Sequence, residues 1–274
     1  MTLLLQVSDP HFGTERPAVV EALVRLSHEQ RPDLLVLSGD ITQRARRSQF
    51  RAARAFADRL GIAHRLVIPG NHDIPLFNVA ARALAPYAGL QASFGDVLEP
   101  EFASDGVLVI GVNTTRRWRH ADGEVSAAQV ARVAERLSRA GPAQWRIVVT
   151  HQPVFVTQPR DHKNLLHGRE AAVARWAQAG ADVVMGGHIH LPFVAPLQEA
   201  FGGLAGAMWA VQAGTAVSHR VRHGAENSVN LLRCSHEAGR RSCSVERWDF
   251  VAAEDRFVRV KQDALVSEDT AHGH

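Results

Sequence analysis

Residues 66–73, Leu66-Val67-Ile68-Pro69-Gly70-Asn71-His72-Asp73, run from a short apolar stretch into a turn that carries an amide, an imidazole and a carboxylate. An apolar run of this length closed by Pro-Gly suits a buried strand ending in a sharp turn. The same arrangement recurs on either side. Leu3 to Val7 precedes Asp9-Pro10-His11, Leu34 to Leu37 precedes Gly39-Asp40, Ile147 to Val149 precedes His151, and Val183 to Met185 precedes Gly187-His188-Ile189-His190. If these strands lie parallel in one sheet, their carboxyl ends share an edge, where α/β folds place ligands. Five loops then converge on one spot.

Taken singly, each segment has an ordinary reading. Asp9 and His11 suit a turn or helix cap, Gly39-Asp40 a common turn, Asn71 a left-handed turn position, His151 a satisfied core histidine, and His188 and His190 one face of an exposed strand. A shared metal site accounts for all five at once. The candidate ligands are carboxylate, imidazole and amide groups without thiolate, which suits Mn, Fe or Zn rather than a structural zinc site built on Cys. Two cations about 3.5–4 Å apart can lower the pKa of a shared water and hold the oxygens of a phosphoryl group during in-line displacement. A bridging carboxylate is needed to keep them that close.

In order and spacing these blocks resemble the calcineurin-like metallophosphoesterases, whose pattern is D-x-H, GD, GNH[DE], a lone His and GHxH. The motifs cover residues 3 to 195. Beyond them, Gly214-Thr215, the segment Arg220 through Asn230 and Asn227-Ser228 are similar to the bacterial class III cyclic-nucleotide phosphodiesterase group. The resemblance implies an α/β fold, a four-layer α/β/β/α sandwich with two facing mixed sheets and a dinuclear metal site at strand carboxyl ends. It implies two divalent or mixed-valence transition-metal ions, one held by Asp9, His11, Asp40 and His190, the other by Asp40, Asn71, His151 and His188, with Asp40 as the bridge. His72 is then not a ligand but a catalytic group facing the substrate, where it binds a phosphoryl oxygen or protonates the leaving group. The implied reaction is hydrolysis of a small anionic phosphodiester, with a 3′,5′-cyclic nucleotide among the candidates, by attack of a metal-bridging hydroxide. Alternatives are a phosphomonoesterase, a nucleotide-lipid pyrophosphatase and a non-enzymatic metal-binding scaffold. Lipid A nucleotide pyrophosphatases of the superfamily typically carry Arg where this chain has His72, and scaffold relatives usually lose metal-site histidines, none of which is lost here.

Since the dinuclear core reads only the phosphoryl group, loops select the substrate. Two segments are candidates: residues 157–168, with Arg160, His162, Lys163 and His167, and His219-Arg220-Val221-Arg222-His223. Asn71, His72, His219, Arg220 and Arg222 are the proposed substrate contacts. The alternative readings are a polar surface loop and a strand with alternating basic residues.

The 274 residues are enough to bury a sizeable core. No linker, internal repeat or low-complexity tract divides them, so residues 1–266 read as a single domain and the polar end, 267–274, is expected to fray. Met1 to Leu5 is too short for a signal-peptide core and lacks a basic region ahead of it. Nothing approaches the roughly 20 apolar residues of a membrane span. A cytoplasmic location is expected, peripheral membrane contact stays open, and a homodimer is expected only by analogy with the family. Only Lys163 and Lys261 of the 31 basic residues are lysine, and the net charge is +3. Arginines cluster at 44, 46, 47, 51 and 54, and at 116, 117 and 119; Arg47, Arg51 and Arg54 at i, i+4 and i+7 read as a solvated helix face. Little aromatic interleaving accompanies them, so no nucleic-acid polymer is expected as partner, whereas positive charge near a pocket favours an anionic substrate.

Strands are expected near 3–8, 34–38, 64–68, 107–112, 146–150 and 182–186, and helices near 16–30, 43–60, 76–85, 126–139 and 168–179. That alternation argues for an α/β layered domain. Past Pro192, residues 193–197, 207–212, 229–233, 243–250 and 256–260 read as mostly antiparallel strands. Counting outward from a two-residue turn at Ala238-Gly239 places Cys234 opposite Cys243. A cytosolic chain should keep both thiols reduced.

Overall fold

A computed structural model describes residues 1–266; the terminal segment expected to fray, 267–274, lies outside them. The chain begins with three βα repeats: β1 (Thr2–Val7), α1 (Pro17–Gln30), β2 (Leu34–Ser38), α2 (Arg47–Arg59), β3 (His64–Ile68), then the short helices α3 (Val79–Leu84) and α4 (Ala88–Phe94). A second series follows: β4 (Glu101–Ala103), β5 (Val107–Gly111), α5 (Ala127–Ser138), β6 (Trp145–Val149), α6 (Arg169–Gln178), β7 (Val183–Gly186), β8 (Phe193–Pro196) and β9 (Trp209–Gln212). Three long strands close the chain: β10 (Ser228–Glu237), β11 (Arg240–Val251) and β12 (Arg256–Leu265).

These strands form two mixed six-stranded sheets, ordered β12-β11-β10-β1-β2-β3 and β4-β5-β6-β7-β9-β8. Alternate side chains along each central strand enter different cores. Leu3, Leu5 and Val7 pack with Leu35, Leu37 and Val67 under α1 and α2, while Leu4, Leu34, Val36, Leu66 and Ile68 face Val107, Val109, Ile147, Val149 and Met185 of the second sheet. Leu108, Ile110, Val148 and Val184 pack under α5 and α6. A strand covered on both faces needs apolar residues at every position, which is why these strands read as unbroken Val, Ile and Leu runs. The result is the four-layer α/β/β/α sandwich.

Several expectations change. The five motif-bearing strands do not share one sheet: β1, β2 and β3 belong to the first, β6 and β7 to the second. Within residues 207–212, read as one of a mostly antiparallel set, Trp209–Gln212 form β9, which is parallel to β7 and antiparallel only to β8. Residues 219–223 form no strand; the backbone turns there, with Arg220 N donating to Ser218 Oγ at 2.9 Å and Ala225 N to Arg222 O at 2.9 Å. The helix expected from 43 begins at Arg47 because Ala45 is left-handed, at φ 51°. Neither α4 nor β4 was anticipated. The hairpin reading holds in register: Cys234 lies opposite Cys243, and Ala238 and Gly239 both have positive φ, as a two-residue turn between twisted strands requires. Both cysteines are free and buried, with their Sγ atoms 3.1 Å apart.

Candidate metal centre

Each motif residue sits in the loop just past a strand. Asp9, Asp40 and Asn71 follow β1, β2 and β3, and His151, His188 and His190 follow β6 and β7, so both sheets contribute. Asp9, His11, Asp40, His188 and His190 all have left-handed backbones, with φ between 44° and 70°. Such conformations cost non-glycine residues energy and persist where the surroundings over-determine them. Gly70 is required by close approach: a Cβ there would collide with the backbone and carboxylate of Asp40.

The side chains converge in three overlapping groups, Asp9 with His11 and His190, His11 with Asp40 and His72, and Asp40 with His151 and His188, the ligand atoms of each lying within 4.8 Å of one another. Asp40 Oδ2 is 3.8 Å from His11 Nε2, while Oδ1 is 3.3 Å from His151 Nε2. Its two oxygens thus face two different donor sets. On the first side His190 Nε2 is 3.2 Å from both Asp9 Oδ1 and His11 Nε2.

Backbone carbonyls fix three of the imidazoles. His151 Nδ1 donates to Ser38 O at 2.9 Å, His190 Nδ1 to Arg220 O at 2.6 Å and His72 Nδ1 to Gln43 O at 3.0 Å. A carbonyl only accepts, so Nδ1 carries the proton and Nε2 is turned inward, as outer partners of metal-binding histidines generally arrange. Asp9 is oriented by Ser8 Oγ and His188 N, which donate to Oδ2 at 2.6 and 3.0 Å. Asp9 Oδ1, Asn71 Oδ1, His151 Nε2 and His188 Nδ1 remain buried without a hydrogen-bond partner. Buried polar atoms are normally satisfied, and hard oxygen and imidazole donors left over at one point fit cations.

Titration follows the same crowding. Burial pushes Asp9 up, but the charge of His190, whose Nε2 is 3.2 Å away, overcomes it and leaves the carboxyl well below its ordinary range. Burial disfavours the charged form of His151, yet the charge of Asp40 prevails and raises it to about 9; His190 is raised for the same reason by Asp9. Burial lowers His11 to about 3 and, reinforced by the His151 charge, His188 to about 4.

Asp73, the last residue of the third motif, was not assigned a role, although its signal was the motif itself. Its buried carboxylate accepts from Gly70 N, Ile41 N, Thr42 N and Thr42 Oγ1 at 2.8–3.0 Å, tying the Asp40 loop to the Asn71 loop. Burial and the Asp40 charge raise it to about 6. Gln43 also escaped notice; it holds His72 through its carbonyl and Arg220 Nη1 through Oε1 at 3.0 Å. Beneath the site, Gln6 Nε2 donates to Ser38 Oγ and Gly186 O, and Asn230 Nδ2 to Gln6 Oε1, linking the two sheets by polar contacts.

Among the substrate-contact candidates, Arg220 reaches the site: its Nη1 lies 3.2 Å from His72 Nε2. Arg222 is engaged by Asp161 Oδ2 at 2.9 Å, by Gln158 Oε1 and by Ile189 O. His219 is exposed, its backbone N bonded to Thr14 O. Asn71 and His72 line a cavity of about 100 Å³ with Gln43, Arg44 and Leu76.

The calcineurin-like phosphoesterase family model matches residues 2–192. The chain belongs to that family. It is accordingly a hydrolase acting on phosphoric esters, of a family that holds a dinuclear transition-metal centre, and the donors described above fit one. Two curated relatives are a probable cyclic nucleotide phosphodiesterase of Synechococcus, 25% identical over 71% of this chain and 76% of its own, and a cAMP/cGMP dual specificity phosphodiesterase of Mycobacterium tuberculosis, 28% identical over 69% and 61%. The chain thus spans less than two thirds of the second. The fold matches a dimetal phosphatase from Danio rerio, with TM-score 0.66, 13% identity and 97% and 98% of the two chains covered. It also matches a purple acid phosphatase from yellow lupin, with TM-score 0.69, 12% identity and 96% and 53% covered. No helix among the described residues is long and apolar enough to cross a membrane.

Proposed function

We propose that this chain is a metal-dependent phosphodiesterase for small anionic diesters, with residues 1–266 acting as one catalytic unit. The observation that carries the reading is Asp40, whose two carboxylate oxygens face separate His-rich donor sets while His72 and Arg220 stand beside them. Asp9, His11, Asp40 and His190 would hold one cation and Asp40, Asn71, His151 and His188 the other. Cations so placed supply Lewis-acid charge and lower the pKa of water.

The remaining chemistry belongs to side chains. Arg220 donates to His72 Nε2, so that nitrogen accepts and His72 is the Nδ1–H tautomer; the guanidinium already engaging Nε2 supports a role facing the substrate. A phosphoryl oxygen entering here takes over the Arg220 donor, and the guanidinium offsets charge that grows in the transition state. Protonated at Nε2, with Gln43 O still holding Nδ1–H, His72 aims a proton at the leaving oxygen. Two relatives whose names specify cyclic nucleotides support a cyclic diester as substrate.

The test is a panel with Mn²⁺: bis-(p-nitrophenyl) phosphate, p-nitrophenyl phosphate, cyclic nucleotides and UDP-linked pyrophosphates. The expected outcome is turnover of diesters well above the monoester. A preference for the monoester or for UDP-linked substrates would replace the reading with one of the other phosphoesterase classes.

A further inference from the structure

Beside the metal centre runs a groove of about 1190 Å³ between the start of α2 and the helices α3 and α4. It shares Arg44 and Leu76 with the cavity that contains Asn71 and His72, so the two adjoin. Its walls differ. One is apolar and built of small groups, Ala81, Ala85, Ala88 and Ala92 beside Phe77; the other carries Arg44, Arg46, Arg47 and Arg51.

Arginines on the neighbouring surface are paired: Arg25 with Asp255, Arg54 and Arg65 with Asp58, and Arg59 with Glu21. Among the described residues the four groove arginines have no acidic partner, and Arg44 lies over the Phe77 ring, 5.5 Å from its centre. The apolar wall is equally unspent. Helix α3 buries no residue, and of the groove wall Phe77 is 80% exposed and Ala85, Ala88 and Ala92 are exposed as well. Polar contacts hold it instead: Arg82 donates to Pro75 O, Arg117 O and Arg119 O, and Arg117 to Ala83 O. Burial on folding explains neither the exposed aromatic nor the row of alanines facing cations.

We infer that this groove receives the apolar tail of an amphiphilic phosphodiester whose phosphoryl group lies at the metal centre, the arginines facing the anionic charge at the head of that tail. The proposal rests on the phosphodiesterase reading and extends its substrate class, since a cyclic nucleotide at the His72 cavity would leave the groove unused. An alkyl chain along the alanine wall displaces water from apolar surface, and each methylene buried is worth about four-fold in affinity.

The experiment compares two diesters of one leaving group, methyl and decyl p-nitrophenyl phosphate, with the Mn²⁺-loaded full chain below the aggregation limit of the decyl ester. Burial of only two or three of the added methylenes lowers KM roughly 15- to 60-fold for the decyl ester. Ala88→Phe, which fills the groove, should bring the decyl-to-methyl KM ratio back toward one, whereas Arg47→Glu, which reverses charge at the head of the tail, should raise KM for both esters. Calorimetric titration of the metal-free protein with decyl phosphate and methyl phosphate gives a second readout that needs no turnover. Equal KM values with equal phosphate affinities would overturn the groove assignment and leave the phosphodiesterase reading standing. Tight, groove-dependent decyl phosphate binding without hydrolysis of either ester would do the reverse. A wild-type dimer in sedimentation that dissociates in Ala88→Phe would give the groove to a second copy of the chain and overturn the inference.

Discussion

Replacing Asp73 with Asn tests whether the two central metal-site loops are held together by one buried carboxylate. Oδ2 accepts from Ile41 N and Gly70 N, and Oδ1 from Thr42 N and Thr42 Oγ1. An amide retains one acceptor oxygen, so whichever way it turns, two of the four bonds are lost and the amide N–H₂ faces donors. Each buried donor left unpaired costs about 1–3 kcal/mol, for a loss of about 2–6 kcal/mol. Part is returned, because the carboxylate is itself disfavoured by burial and by the Asp40 charge that raise it to about 6. A net loss of about 3 kcal/mol is a large share of the roughly 5–15 kcal/mol that stabilises a domain. At about 3 °C per kcal/mol for a chain of this size, Tm should fall by about 9 °C. Scanning calorimetry of the metal-free protein at pH 7.5 measures it, and metal analysis should show weaker retention because Asp40 and Asn71 sit on the loosened loops. An unchanged Tm with full metal retention would refute the claim that Asp73 joins them.

Asp40→Asn should abolish diester hydrolysis and lower occupancy at both metal positions, whereas Asn71→Ala should weaken mainly one; two cations retained at full occupancy in Asp40→Asn would remove the bridging role. His72→Ala should keep both metals and slow a diester with a poor leaving group by about 10²–10⁴-fold, with a much smaller effect on an aryl ester; loss of a metal would make His72 a ligand. His151, raised to about 9, and His190, also raised, must shed protons before they can bind a cation. Metal affinity should therefore climb with pH up to about 9, with proton release visible in titrations run in buffers of different ionisation enthalpy; pH-independent affinity would contradict these protonation states. Replacing Cys234 and Cys243 together by Ser should leave diester turnover within about two-fold, and intact-mass analysis should find two free thiols; a quantitative disulfide would make the hairpin a covalent staple.

Sequence alone marked the motif-bearing strand ends closely. The apolar runs are continuous because their strands are covered on both faces, and the turns stand out because Gly, Pro and Asp mark sharp reversals. Local chemistry also set the Cys234–Cys243 register, since a two-residue turn leaves one pairing. What a hydrophobic run does not carry is direction or sheet membership. Val and Ile bury equally well in parallel and antiparallel strands, so β9 was legible as a strand but its pairing with β7 was not.

The candidate site divides along the same line. Asp9, His11, Asp40, Asn71, His72, His151, His188 and His190 were all visible as residues, because the chemistry requires particular groups in loops after strands. The Asp73 carboxylate accepts from the backbone N–H of Ile41 and the Gln43 carbonyl from the His72 ring, each partner about 30 residues away, and nothing in their own neighbourhoods specifies those partners. Arg220 and Arg222 looked alike in sequence, yet one guanidinium meets His72 and the other meets Asp161. The arginines of α2 and the alanines of α3 and α4 become one groove only when the chain folds. Composition and spacing fix which groups are available; which of them share a few ångströms is decided by how the two sheets pack and where their loops return.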